Sequence, residues 1–293
     1  MNDQNFIQFK KKRDLGTMLS DAFKFLSVEW KPFFYTIFKT AIIPVLIAIC
    51  IMIYYLISST QVFGGIAETA NVDNVFDFNF SELILPVFGF IFSYLIAYAL
   101  ISVSALSYIK SYISNNGVVN FEEVSALTKD KFGAYVGLFI LNGIIVFFGL
   151  LFCFLPGIYL GIVLSLSMCL LIFQNKGVMD SIGDSFNFIK GHWLETFGIL
   201  LVVQIIIGII GFFVDFPVSL YSGGSLGSDL LGEDPNELFN IYKDPIYLIL
   251  LIISNLIKFV LYIVTLVVTV FIYYDIKEQK NPSTDVINEI GVS

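Results

Sequence analysis

Long apolar stretches alternate with short mixed ones along this chain, and two of the mixed stretches read alike. Residues 21–34 are DAFKFLSVEWKPFF and residues 184–197 are DSFNFIKGHWLETF. In register, Asp21 stands with Asp184, Phe23 with Phe186, Phe25 with Phe188, Trp30 with Trp193 and Phe34 with Phe197. Phe matches are cheap in a Phe-rich chain, but both of its Trp residues fall in register. Each copy reads as a short amphipathic helix leading into a long apolar segment. Over 15–30, Leu15, Met18, Leu19, Ala22, Phe23 and Leu26 share one helical face, opposite Thr17, Ser20, Asp21, Lys24 and Ser27. That pattern places the helix in the membrane interface, with Trp30 and Lys31 at its exit. The alternative is a helix packed on the bundle. Over 174–193, Val178, Ile182, Phe186, Ile189 and Trp193 oppose Asp180, Asp184 and Asn187 in the same way.

The apolar stretches predict six spans, at about 33–57, 83–113, 134–154, 158–173, 194–216 and 245–274. The first, at 1.5 Å per residue, reaches about 37 Å and crosses a ~30 Å hydrocarbon core with some tilt, kinked at Pro44. In the second, Gly89, Ala97, Ala99, Ser102, Ser104 and Ala105 suit close helix packing. Phe121, Val124, Leu127 and Phe132 make a weaker third amphipathic stretch after the Asn115-Asn116-Gly117 turn signal. Pro156-Gly157 predicts a tight turn between spans three and four, and Pro217 ends span five. The expected fold is all-α: six transmembrane helices built as three repeats of a cytoplasmic interfacial helix plus a membrane hairpin. A basic segment (1–14) precedes a single membrane domain (15–276), and a disordered tail (277–293) follows.

Composition agrees with that picture. The 293 residues are 57% hydrophobic and only 14% charged, with a mean hydropathy of +0.85, whereas soluble domains carry roughly a quarter charged residues. Lys10-Lys11-Lys12-Arg13 is followed by a mixed segment and not by an uninterrupted apolar run, so no cleavable signal is expected. Lysine placement orients the spans with both termini cytoplasmic: every basic residue except Lys243 and Lys258 falls at a cytoplasmic end. One His and one Arg exclude nucleic-acid binding. Cys50, Cys153 and Cys169 sit in apolar runs without metal or disulfide spacing, which leaves packing as their role.

The stretch LPGIYLGIVLSLSMCLLI (155–172) and then KGVMDSIGDSFNFIKGHWLETFGILLV (176–202) resembles a bacterial superfamily. It includes the YciC-like membrane proteins and the membrane domain of some glycerophosphodiester phosphodiesterases. The likeness rests on Pro156-Gly157 before a short apolar span, Gly177, the Ser185/Phe186 helix and Gly191-His192-Trp193, and covers roughly 150–205. It implies a six-span bundle in the inner membrane of a bacterium and carries over no phosphodiesterase activity.

Candidate chemistry is sparse. Lys258 lies near the middle of span six, where a lysine is costly unless paired or snorkelling. Helical rise puts Asp215 at a similar depth, with Asn255 one turn from Lys258. This triad is either an ion or proton pathway or a structural pair. Asn142 and Gln204 are intramembrane amides suited to bonding across helices. Trp30, Trp193 and His192 read as interfacial anchors. Asp229, Glu233, Asp234 and Glu237 lack the spacing of a calcium loop and read as a solvated acidic loop. No catalytic, cofactor or metal site is expected. The reading favours a non-enzymatic scaffold or accessory subunit whose partners are membrane lipids and other membrane proteins or a second copy; the alternative is a small transporter or lipid-handling protein using Lys258 and Asp215.

Overall fold

A computed structural model describes residues 6–68, 81–229 and 241–281, with the side chains of 60–68, 81–83 and 224–229 outside that description. Among the described residues every regular element is helical. In chain order these are α1 (Leu15–Glu68), α2 (Ser81–Ser114), α3 (Phe121–Phe152), α4 (Phe154–Ser165), α5 (Ser167–Phe173), α6 (Val178–Ile189), α7 (Trp193–Asp229), a 3-10 turn (Ile241–Lys243) and α8 (Pro245–Lys280). With α4 and α5 taken together, six helical segments are long and apolar enough to cross a membrane. Hydrocarbon offers backbone groups no hydrogen bonds, so apolar runs of this length close their own as helices.

The boundaries differ from expectation in instructive ways. The stretch at 15–30 and the first span form one unbroken helix, and the stretch at 121–132 is likewise continuous with span three. The expected apolar face of α1 is rotated. Met18, Ala22, Phe25 and Leu26 are buried, whereas Leu15 and Phe23 are exposed. Protein neighbours and not the interface cover this stripe, because Phe25 meets the rings of Phe9, Phe33 and Tyr112 edge-on at 5.2–5.5 Å. Helix α7 runs through Pro217 to Asp229, and α8 continues to Lys280, into the expected tail. Glu233, Asp234, Glu237 and residues 282–293 lie outside the described residues.

Pro156 and Gly157 are not the turn between spans three and four; they belong to α4. The break is Cys153 alone, extended at φ −168, ψ 146. Proline suits the first turn of a helix because an N–H there has no intrahelical partner anyway. Gly157 is there because the arms of the hairpin touch. A Cβ on it would fall 2.4 Å from Leu150 Cδ2 and 2.8 Å from Leu150 N. A second break, at Leu166, separates α4 from α5.

The contact pattern falls into two units, and α1, α2, α7 and α8 contribute to both. The first holds the chain up to Ala41, Ala99–Ile205 and everything from Tyr262. Its core includes the small-residue stripe of α2, where Ala99, Ser102, Ser104 and Ala105 are fully buried. Asn142 Nδ2 donates to Ser167 Oγ at 2.8 Å, tying α3 to α5. Gln204 is exposed on α7 and makes no such tie, because its position faces away from the packed side.

The N-terminal segment of this unit is held by Arg13. Its guanidinium donates to Asp21 at 2.8 Å, to the carbonyls of Phe9 and Lys11 at 2.9 and 3.0 Å, and to the carbonyl of Gln8. Its backbone N–H donates to Asp275 on α8 at 2.7 Å, and its plane lies 4.8 Å from the Phe271 ring centroid. Phe9 stacks on Phe271 at 4.3 Å. Lys10, Lys11 and Lys12 are exposed, so the basic cluster divides into one buried fork and three solvated charges. The second unit, 42–98 and 206–261, contains the outer lengths of the same four helices. There Asp244 caps α8, accepting from the N–H groups of Ile246 and Tyr247. Tyr221 donates to its other oxygen, which holds the Asp244 carboxyl below the usual range.

Two outcomes follow. Gly157→Ala lowers stability by about 1–3 kcal/mol through overpacking, while Gly143→Ala, where a Cβ would meet nothing within 4 Å, leaves it unchanged; thermal melts in mild detergent separate the two. Arg13→Ala costs about 3 kcal/mol by stripping partners from buried groups, against less than about 0.5 kcal/mol for Lys10→Ala, read by the same melts.

Candidate functional site

The polar groups that the membrane makes most expensive gather in the second unit. Lys258 Nζ lies 2.8 Å from Asp215 Oδ1, and Ser254 Oγ donates to the same oxygen at 2.6 Å. Helical spacing explains the convergence: residues four apart stand over one another, so Ser254 and Lys258 present hydroxyl and ammonium along one face of α8. Asp215 comes from α7, two residues before Pro217. Asn255, expected beside the pair, turns instead toward α2. Tyr94 donates its hydroxyl to Asn255 Oδ1 at 3.2 Å, and Asn255 Nδ2 bonds the Leu251 carbonyl at 2.8 Å.

The pair is not sealed. The side chains of Lys258 and Asp215 are 41% and 43% exposed, and on α7 their surroundings are Phe212, Phe213 and Phe216, all more than half exposed. Among the described residues Asp215 Oδ2 has no donor. The arrangement therefore offers an acceptor oxygen and a partly used ammonium on an apolar surface. Chemically, such an arrangement can exchange hydrogen bonds with a polar group that reaches this surface.

The expected anchors lie in the first unit and differ from one another. Trp30 is 55% exposed, with the Lys31 ammonium 5.8 Å from its ring. Trp193 is half-buried between Phe197, stacked at 5.4 Å, and Tyr159 at 5.6 Å. His192 Nδ1 lies 3.6 Å from Glu195 Oε2, too far for a hydrogen bond. Among the described residues no three His, Cys, Asp or Glu side chains gather to hold a metal ion.

The register that pairs the two Trp stretches extends upstream of them. Helix α1 starts at Leu15 and α6 at the equivalent Val178. Arg13–Asp21 has its counterpart in Lys176–Asp184, an ion pair at 2.5 Å between equivalent positions. Buried Met18, Ala22, Leu26 and Phe33 answer to buried Ser181, Ser185, Ile189 and Thr196. The stretches diverge where Val28 meets Gly191. Gly191 adopts φ +88, a conformation that a β-branched residue strongly resists, and His192 N–H bonds the Ile189 carbonyl at 2.8 Å. Helix α6 therefore ends there, and α1 continues.

No known family, curated protein or solved structure matches this chain.

Ser254 and Tyr94 escape a reading of the sequence, since a serine or tyrosine in an apolar helix carries no signal of its own. The Arg13/Lys176 match was available: both are basic and stand eight residues before the paired Asp. For the ion pair, Lys258→Met or Asp215→Asn alone should destabilise the protein by about 1–3 kcal/mol, less than in a fully buried pair because both groups are half-exposed. The double variant Lys258→Met/Asp215→Leu should recover most of that loss. A double-mutant cycle on detergent melts measures the coupling.

Proposed function

We propose that this chain is a non-enzymatic integral membrane protein that serves as a scaffold or accessory subunit of a membrane protein complex. The observation that supports this reading is the half-exposed Asp215–Lys258 pair on a Phe-rich face. Lipid tails cannot satisfy Asp215 Oδ2 or the remaining ammonium hydrogens, whereas a neighbouring helix carrying an amide or hydroxyl can. Phe212 and Phe216 then supply apolar contact around the polar centre.

A bacterial inner-membrane location belongs to the same proposal, supported by the superfamily resemblance, and cytoplasmic termini are supported by the lysine distribution. So does kinship with the YciC-like superfamily, supported by residues 150–205. Duplication of an N-terminal helix and its following span is supported by the shared helix starts, ion pairs and burial of the stretches beginning at Leu15 and Val178.

A second reading, a lipid-handling protein, draws on an apolar groove of about 360 Å³ lined by Pro44, Ile47, Ile51, Gly89, Phe92 and Ile96 in the second unit. Apart from Ser93 its lining is apolar, as an acyl chain requires. Site-directed photocrosslinking decides between the two. A crosslinker at Phe212 or Phe216 should yield a discrete polypeptide adduct, another membrane protein or a second copy. Lys258→Met should weaken that adduct roughly three- to twentyfold, as loss of one interhelical polar contact implies. Adducts to lipid alone, unchanged by Lys258→Met, overturn the scaffold reading. A crosslinker at Ile47 that captures lipid in register with the groove supports the second.

A further inference from the structure

The hairpin of α3 with α4 and α5 differs from the other long helices in three ways. First, no charged residue stands between Lys131 and Lys176, and no polar side chain between Asn142 and Tyr159. The turn itself is FFGLLFCFLPG (147–157). The segments after α1 and α7, by contrast, carry Asp73 and Asp77, and Glu233 and Asp234. Second, every residue of the hairpin belongs to the first unit, whereas α1, α2, α7 and α8 each contribute a further length to the second. The returning arm, Phe154–Phe173, has 20 residues and is broken at Leu166.

Third, the residue at the break has both of its own backbone groups bonded. A turn between two helices usually strands four carbonyls and four N–H groups. Here a single residue is non-helical, and both of its backbone groups are bonded: Cys153 N–H to the Gly149 carbonyl at 3.1 Å, and the Cys153 carbonyl to Gly157 N–H at 3.4 Å. Pro156 has no N–H to satisfy. Gly149 and Gly157 let the arms close at backbone contact, a hypothetical Gly149 Cβ lying 3.1 Å from Gly157 Cα. Around this closed turn Phe147, Phe148, Leu151, Phe152, Phe154 and Leu155 are all exposed, Phe152 at 88%. An apolar surface of that kind meets acyl chains and not water.

We propose that the α3–α5 hairpin is re-entrant. It enters the bilayer from the lysine-rich side, turns at Cys153 within the hydrocarbon, and returns to the same side at Gln174. Its partner is the acyl-chain layer of the bilayer, into which the Phe-rich tip is wedged. Four helices, α1, α2, α7 and α8, then cross completely. The termini stay on one side, and the lysines of both hairpin ends remain with them.

Cys153 reports on its own position. In a Cys50→Ala protein, with Cys169 buried and unreactive, a nitroxide on Cys153 is reconstituted in phosphatidylcholine vesicles. The expected result is strong relaxation by oxygen and loss of relaxation by a water-soluble nickel chelate, matching a label at Ile253→Cys on α8. Chelate accessibility equal to that of a label at Lys12→Cys, an exposed position, overturns the proposal. Should the Cys50→Ala protein fail to fold, the unsubstituted chain serves. A membrane-impermeant maleimide applied to the outside of intact cells should leave Cys153 unmodified by mass spectrometry, and modification there overturns the re-entrant turn.

Discussion

A backbone amide in hydrocarbon has nowhere to send its hydrogen bond except to its own chain, and each unmet group costs several kcal/mol. That constraint decides the shape of every element in this protein. It makes the apolar runs helical, and it carries α7 through Pro217, where a soluble helix of this sequence would have several ways to end. The turn at Cys153 is short. Proline, glycine and one extended residue reverse the chain with both of the break's own backbone groups bonded.

The same constraint sorts the sequence into what is legible and what is not. The six apolar segments, the all-helical class and the meeting of Asp215 with Lys258 all follow from hydropathy and helical rise, which act on long stretches and average out local detail. Breaks are different, because single residues set them. Pro156-Gly157 carries the composition of a turn, yet here proline opens a helix and glycine admits a neighbouring strand of backbone at Leu150. Nothing local distinguishes those uses. At Val28 and Gly191 the difference is legible afterwards: only the glycine tolerates positive φ, so one stretch breaks where the other runs on.

The amphipathic faces were harder still. Phe23 and Phe25 are two positions apart and chemically identical, so the pattern of 15–30 fits two rotations of the helix. Partners distant in sequence choose between them: Phe9, Phe33 and Tyr112 close around Phe25 and leave Phe23 exposed. The role of Arg13 was hidden for a related reason. In the sequence it is the last member of a basic run, and only the fold shows that its neighbours stay in water while it turns inward.

Arg13 and Lys258 mark two ways of holding a cation in a chain that has few. The guanidinium is buried, its N–H groups committed to one carboxylate and three carbonyls within reach of its own segment. A fork used so fully has little left to offer a visitor, and its chemistry is that of a rivet. Lys258 sits half-exposed with one carboxylate, whose second oxygen has no donor among the described residues. An incomplete shell in a medium that cannot complete it is a free-energy gradient toward whatever polar group arrives in the plane of the membrane. The difference between the two cations is therefore not their charge but the valence left over.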